Sequence, residues 1–251
     1  MESPQPQTKE QWVQEGNAHA TFHEYQQAIA AYEQALRLDP SYARAYHNRG
    51  AAYADLNEYQ RAIADFDQAL RLAPDSTATH YNRGTAYVAL NEYQQAIADF
   101  DHTLRLDPSN AHAYYNRGTA YVALNEYQQA IADFDQTLRF DPNSADAYYN
   151  RGNAHAAIHE CQQAIADFDQ ALRLDPSNAH IYHNRGAVYA TLQDYQRALA
   201  DFDQTLALDP THARAHYHRG RVLQHLGRQA EAHHAFQQAE SLGYQEAREI
   251  L

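Results

Sequence analysis

Asparagine recurs at a fixed interval along the sequence, and its chemistry offers the first indication of function. Asn48, Asn82, Asn116, Asn150 and Asn184 follow one another every 34 residues. A carboxamide carries both a donor and an acceptor, so a row of them could pair with the N–H and C=O groups of an extended peptide of any sequence. The same side chains could instead join neighbouring helices, and the sequence leaves both interpretations open.

A ring stands immediately before each of these asparagines. The series consists of His47, Tyr81, Tyr115, Tyr149 and His183, and Tyr217 continues it in register. Planar side chains bury a large area at low entropy cost and are typical binding anchors. We therefore expect these rings to line a binding surface, and packing against the preceding repeat is the alternative.

Histidine and cysteine raise the question of metal binding and catalysis. The histidines form two i, i+4 pairs and one cluster, namely His19/His23, His155/His159 and His212/His216/His218. No H-E-x-x-H motif or carboxylate triad accompanies them, so we expect no metal, no cofactor and no enzymatic activity. An unperturbed histidine titrates near pH 6, and His47, His183 and His218 could then tune the charge of the surface. Cys161, the only cysteine, excludes a disulfide framework, indicates a reducing cytoplasm and is expected to be a small buried residue.

Composition excludes several classes of protein. The 251 residues include 19 Lys+Arg and 32 Asp+Glu, which gives a net charge of −13. Nucleic-acid binding needs a surplus of basic residues, so we expect no nucleic-acid partner. A hydrophobic content of 44% excludes a disordered chain. No apolar run approaches the roughly 18 residues that span a membrane, and the first residues do not resemble a secretory signal. We therefore expect no membrane insertion and a cytoplasmic location.

The asparagine spacing belongs to a repeat that covers nearly the whole sequence. Glycine occurs at 16, 50, 84, 118, 152, 186 and 220, and proline at 40, 74, 108, 142, 176 and 210. With glycine at column 8, the predicted units are 9–42, 43–76, 77–110, 111–144, 145–178, 179–212 and 213–246. Residues 1–8 are predicted to be a disordered head, and 247–251 the end of a C-terminal capping segment.

Each unit has the apolar spacing of two amphipathic helices. In the second unit this spacing predicts helices of about 14 residues that are separated near Asn57. Asp39-Pro40 is predicted to begin a helix, because Asp caps free N–H groups and Pro suits the first turn. Glycine inside the first helix costs about 1 kcal/mol relative to alanine, so its recurrence indicates close helix packing. One hairpin cannot bury its apolar face alone, which predicts an all-α stack.

The unit resembles the tetratricopeptide repeat (TPR), W-x2-L-G-x2-Y…A-x3-F…P at period 34. The first unit supplies Trp12, Gly16, Ala28, Tyr32 and Pro40, and the second supplies Tyr46, Gly50, Tyr53, Ala62, Phe66 and Pro74. Arginine replaces the Leu before Gly in units two to seven, and the last unit has Tyr244 where the terminal Pro is expected. The resemblance implies a right-handed α-solenoid of seven helix-turn-helix hairpins plus a short C-terminal helix. It also implies that columns 2, 5, 6, 9, 12 and 13 of the first helices face a concave groove.

The resemblance suggests a second kind of site, the carboxylate clamp of chaperone-binding TPR proteins, which uses Lys, Asn, Asn, Lys and Arg. The matching positions are Tyr149, Asn153, Asn184, Arg214 and His218 in units five to seven, and Val13, Asn17, Asn48, Ala78 and Asn82 in units one to three. Both sets lack the first Lys. Weak carboxylate capture by Asn153, Asn184 and Arg214 is therefore a secondary hypothesis.

Charged residues are periodic as well. Arginine at column 7 and aspartate at column 23 suggest a ladder between helices, while Asp67/Arg71 and its equivalents are predicted to be i,i+4 pairs. Two functions remain. We expect a non-enzymatic scaffold that binds an extended segment of a partner protein in the groove, during complex assembly, with specificity in the variable columns 2 and 9. The alternative is a structural module that forms homo-oligomers through uncapped solenoid ends.

Overall fold

The computed structural model describes residues 7–248, and the remainder of the predicted head and capping segment lies outside them. The described residues divide between positions 125 and 126 into two compact structural units, each of several repeats, which are called the first unit and the second unit below. Fifteen α-helices and no strands occupy the described residues, and none of these helices is long and apolar enough to cross a membrane. The predicted all-α stack of helix pairs is confirmed.

The first fourteen helices alternate between a first helix of 13 residues and a second of 13 or 14, and a helix of four residues follows them. The first unit contains α1 (Lys9–Thr21), α2 (Tyr25–Leu38), α3 (Ala43–Asp55), α4 (Tyr59–Leu72), α5 (Thr77–Ala89), α6 (Tyr93–Leu106) and α7 (Ala111–Ala123). The second contains α8 (Tyr127–Phe140), α9 (Ala145–Ala157), α10 (Cys161–Leu174), α11 (Ala179–Thr191), α12 (Tyr195–Leu208), α13 (Ala213–His225), α14 (Gln229–Ser241) and α15 (Gln245–Arg248).

Thr8, at the end of the predicted head, has a defined structural role. Its side chain accepts from the backbone N–H of Gln11, and the Gln11 side chain accepts from the backbone N–H of Thr8. This capping box satisfies two N–H groups that the first turn of a helix leaves without partners.

The turn inside each helix pair depends on one residue with left-handed backbone geometry. Asn57 has φ of 60°, and the residues at the same column share this geometry. They are His23, Asn91, Asn125, His159, Gln193 and Gly227. Asparagine and glycine adopt this conformation more readily than most residues. The predicted break near Asn57 is confirmed.

The turn between repeats corrects the prediction for Asp39-Pro40. Asp39 lies just after α2, and its carboxylate accepts from the backbone N–H and the hydroxyl of Ser41. The next helix begins at Ala43, with Tyr42 at its N-cap. Asp39 therefore stabilises a tight turn, because a short Asp side chain readily bonds to the backbone two residues on.

Column-8 glycine allows the two helices of a repeat to approach closely, as predicted. A Cβ atom added to Gly84 would lie 2.8 Å from Cε1 of Phe100, and one added to Gly152 would lie 2.9 Å from Cε1 of Phe168. Both phenylalanines are fully buried. The central phenylalanine ring of the repeat thus packs directly against this glycine.

Gly84→Ala should lower the free energy of unfolding by about 1–3 kcal/mol through overpacking, although alanine favours helix by roughly 1 kcal/mol. Urea denaturation measures this change. Phe100→Leu provides the space that the methyl group lacks, so the same substitution should cost less in a Phe100→Leu background. Equal costs in the two backgrounds would contradict the steric explanation.

The predicted ladder of Arg and Asp is present, and it connects successive repeats. Arg185 donates from Nε and Nη2 to Asp201 of its own repeat, at 2.9 and 2.7 Å, and from Nη1 to Asp169 of the previous repeat at 2.6 Å. Arg83 and Arg151 make the equivalent contacts. The hydrogen bonds that Arg83 donates to Asp99 raise the pKa of its guanidinium.

This geometry corrects the predicted i,i+4 pairs. Asp67 contacts Arg83, at 2.5 Å, instead of Arg71. Asp67 lies on α4, and its carboxylate meets a guanidinium that Asp99 already holds in place. An exposed i,i+4 pair would instead have to order two mobile side chains for a gain of tenths of a kcal/mol.

The two carboxylates on Arg185 should differ in their contribution to stability. Asp201 is buried, whereas 48% of the Asp169 side chain is exposed. Asp201→Asn should cost about 3 kcal/mol of unfolding free energy, because it breaks a buried pair, and Asp169→Asn should cost less than about 1 kcal/mol. Denaturant titration of both variants tests the contrast, and equal costs would refute it.

Candidate functional site

The first helices form one continuous layer in each unit. In the first unit α1 contacts α3, α3 contacts α5 and α5 contacts α7, and in the second α9 contacts α11 and α11 contacts α13. We call the exposed side of this layer the first-helix face. It carries the predicted columns 5, 6 and 9.

In the first unit, two of the predicted asparagines donate to the preceding repeat. Asn48 Nδ2 donates to Asn17 Oδ1 at 2.7 Å, and Asn17 Oδ1 also accepts from the Tyr32 hydroxyl. Asn116 Nδ2 donates to the Tyr81 hydroxyl at 2.9 Å. The Asn82 side chain differs, because it forms no hydrogen bond with any residue in 7–248 although it is half-buried.

The second unit contains a longer chain of polar contacts. Asn184 Nδ2 donates both to the Tyr149 hydroxyl at 3.0 Å and to Asn153 Oδ1 at 2.8 Å. Asn150 is half-buried on α9. The interhelical role that the sequence left open is therefore present at Asn48, Asn116 and Asn184, and their carboxamide oxygens take no part in these bonds.

The rings of column 5 pack against the central phenylalanine of their own repeat. The ring centroids of Tyr81 and Phe100 are 5.9 Å apart, and those of Tyr149 and Phe168 are 6.1 Å apart. His47, Tyr81, Tyr115 and Tyr149 remain half-buried, while His183 and Tyr217 are buried. These packed rings are consequently rigid, and four of the six remain partly exposed on the first-helix face.

Burial lowers the pKa of three histidines of this face, which corrects the predicted titration near pH 6 at His183 and His218. Burial, and after it His212, lowers the pKa of His183 to about 3. Burial, and after it Arg214, lowers the pKa of His218 to about 4, and burial lowers the pKa of His47. All three rings are therefore neutral at physiological pH.

His183 is also the centre of a cluster of histidine rings. Its ring centroid lies 4.6 Å from that of His212 and 5.3 Å from that of His218. Its Nδ1 is buried without a hydrogen-bond partner. His47, at the same column, bonds to the Thr79 hydroxyl at 2.8 Å, but alanine stands at the position equivalent to Thr79 in the seventh repeat, so His183 lacks this partner.

The remaining candidates have local contacts. His19 and His155 each contact the glutamate five residues later, at 2.6 Å. No metal-binding group of three or more His, Cys, Asp or Glu occurs within residues 7–248. Arg214 Nε lies 3.3 Å from His218 Nε2. The predicted carboxylate-capture residues Asn153, Asn184 and Arg214 lie on α9, α11 and α13, and Arg214 is exposed.

Two hollows on this face of the second unit were not predicted. The first, the Cys161 hollow, lies between α9 and α11 and is lined by Asn153, Ala156, His159, Cys161, Phe168, Asn184, Ala187, Val188 and Thr191. The second, the Arg221 hollow, lies between α11 and α13 and is lined by Ala187, Ala190, Thr191, Tyr195, Tyr217, His218, Arg221, Val222 and His225. One sequence signal could have found the first: Cys161 interrupts a column that is tyrosine in five repeats.

Acid should destabilise the protein through His183. Because its pKa is lowered on folding, the unfolded chain binds the proton first, and stability falls as the pH decreases from about 6.5 towards 3. His183→Tyr, which installs the residue found in the neighbouring repeats, should reduce the loss between pH 7 and pH 5 by about 1–2 kcal/mol. Urea denaturation at both pH values measures it. His234→Gln, at an exposed histidine of α14, is the control and should leave the loss unchanged. An unchanged loss in His183→Tyr would contradict the assignment.

Comparisons with known proteins agree with this geometry. The profile of the tetratricopeptide repeat family matches residues 13–77, 81–145, 115–179, 149–211 and 183–247. No curated protein sequence matches the chain significantly.

Solved structures of other TPR proteins are similar to this fold. The structure of YrrB, described as a TPR protein with an unusual peptide-binding site, has 26% identity and a TM-score of 0.67, and the match covers 74% of this chain and 95% of YrrB. A TPR protein from Parabacteroides merdae has 22% identity and a TM-score of 0.70, with 98% of both chains covered. MamA has 26% identity and a TM-score of 0.64, with 68% and 94% covered. Given the repeat geometry and a family match along most of its length, this chain belongs to the tetratricopeptide repeat family.

Proposed function

We propose that this protein is a non-enzymatic scaffold that binds an extended segment of a partner protein along its first-helix faces, during assembly of a protein complex. TPR proteins are generally scaffolds for protein–protein interactions, which supports the broad class. The peptide-binding site described for YrrB supports a peptide as the ligand.

The carboxamide of Asn82 is the observation that carries this proposal. It is half-buried on α5 and has no partner within residues 7–248, whereas Asn48 and Asn116, at the same column of the adjacent repeats, both donate to the preceding repeat. Neither polar atom of this side chain is buried, and neither has a bond to give up, so both are accessible to a ligand. A peptide backbone can satisfy both its donor and its acceptor.

The neighbouring side chains make this face rigid before any ligand arrives. Tyr81 is fixed by Phe100 on one side and by the Asn116 amide on the other. In the second unit, Tyr149, Asn153 and Asn184 are joined in one network. Side chains that are already ordered lose little entropy on binding, which favours affinity for an extended segment.

Asn82→Ala tests the proposal directly, since it removes no bond within residues 7–248. Peptides selected from a random phage-displayed library on the wild-type protein would be synthesised and measured by fluorescence anisotropy. The variant should keep its melting temperature and bind about five- to tenfold more weakly, the effect of one lost hydrogen bond.

Asn143→Ala is the matched control, because it removes an exposed carboxamide from the turn between α8 and α9. It should leave affinity unchanged. Failure to select any peptide, or equal affinity of Asn82→Ala and wild type, would count against peptide binding on this face.

Self-association through the ends remains the alternative prediction. At the C-terminal end, Ala247 of α15 is buried and the Tyr244 ring lies 4.8 Å from that of Tyr217, so the last repeat is partly covered. Light scattering over a range of concentrations distinguishes the two functions, since a scaffold of this kind should remain monomeric and an end-to-end module should grow in mass.

A further inference from the structure

The Cys161 hollow exists because of a residue that breaks the repeat. Its column is tyrosine at positions 25, 59, 93, 127 and 195. Tyr195 shows where such a ring lies: it forms a wall of the Arg221 hollow and stacks on His225, with centroids 4.6 Å apart and planes 3° apart. The smaller Cys161 side chain leaves the corresponding space beside α9 and α11 open.

The lining of this hollow indicates what it would accept. Ala156, Cys161, Phe168 and Val188 form apolar walls, and the hollow has a volume of about 300 Å³. That value is at the lower limit for small-molecule sites, which suits a single aliphatic side chain better than a larger ligand. Asn153 and Asn184 provide polar groups where a peptide backbone would pass.

The Arg221 hollow adds a positive charge beside the apolar space. Ala187 and Thr191 line both hollows, which are therefore adjacent. Arg221 is exposed and donates to the Tyr217 hydroxyl at 3.3 Å. Within residues 7–248 it forms no ion pair, and neither does Arg214 on the same helix.

Helix α13 has an unusual charge for this chain. It contains Arg214, Arg219 and Arg221 and no acidic residue, in a protein of net charge −13. Arg219 is paired with Asp203. Glu246 is an acidic neighbour, and it accepts from the Tyr244 hydroxyl. The two remaining guanidiniums thus favour an acidic ligand.

We propose that repeats five to seven select a peptide in which an aliphatic side chain, seated against Cys161, accompanies an acidic side chain bound by Arg221. This rests on the proposed peptide-binding function and adds the chemistry of the partner. Packed helices lie about 8–10 Å apart and an extended chain advances about 3.3 Å per residue. The two side chains are therefore about three residues apart.

An array of synthetic nonapeptides tests this preference. Each peptide is acetylated, amidated and fluorescently labelled, and carries one leucine and one glutamate at every separation from one to five, in both orders, in a Gly/Ser background. Fluorescence anisotropy should give the tightest binding at separations of two to four. Replacing leucine by alanine or glutamate by glutamine should weaken it at least about tenfold.

Two variants assign each preference to its residue. Cys161→Tyr fills the hollow and should abolish the preference for leucine, and Arg221→Gln should abolish the preference for glutamate. Cys161→Ala keeps the hollow open and should retain the leucine preference. Arg173→Gln removes the same charge from an exposed position on α10 and should retain the glutamate preference.

A measurement on the wild-type protein covers the case in which Cys161→Tyr does not fold. Cys161 is the only cysteine, so alkylation by iodoacetamide reports on this site alone, and the leucine peptide should slow it while the alanine peptide does not. Preferences that persist in both variants, or alkylation unaffected by either peptide, would overturn the inference. If library-selected peptides bind but no array peptide does, the inference fails and the proposed function stands; if neither set binds, both fail.

Discussion

The ion pairs of the column-7 arginine are the interaction on which the packing of successive repeats depends. One guanidinium joins a buried aspartate of its own repeat to an exposed aspartate of the preceding repeat, as Arg185 does with Asp201 and Asp169. It also lies over the Tyr182 ring, 5.6 Å from the centroid. A planar group with five donors can satisfy all of these partners at once, and a lysine cannot. At Arg83, Arg151 and Arg185, the first helix of a repeat is thus held on the second helix of the preceding repeat by charge-assisted hydrogen bonds as well as by apolar packing.

This arrangement leaves the first-helix face free to vary. The buried contacts of a repeat use columns 7, 8, 23 and 24, where Arg, Gly, Asp and Phe meet. The residues of column 2 are exposed, and column 9 holds residues as different as Ala187 and Arg221. Function can therefore change on this face without disturbing the stack. The exposed position of Arg221 and its contact with the Tyr217 hydroxyl illustrate such a change.

The sequence predicted most of the fold because the physical constraints recur every 34 residues. Glycine at column 8 indicated close packing, and the structure places a phenylalanine ring there. The prediction for Asp39-Pro40 was wrong because a capping aspartate and a turn aspartate use the same side-chain chemistry. The predicted titration of His183 and His218 was wrong because burial and neighbouring cations depend on three-dimensional contacts. The Cys161 hollow was missed for a similar reason: a small residue was expected to pack, and the space it leaves depends on the side chains around it.

The arginine bridge also bears on how such a chain can lengthen. A repeat with Arg at column 7 and Asp at columns 23 and 25 offers an arginine to the preceding repeat and an aspartate to the following one. A copied repeat inserted between two such repeats could therefore form the same ion pairs with both neighbours. The outermost units differ. Glu15 takes the arginine position in the first, and Ala235 takes the buried aspartate position in the last. Growth by duplication is therefore compatible with the repeats that carry all three residues, and the first and seventh repeats are chemically distinct from them.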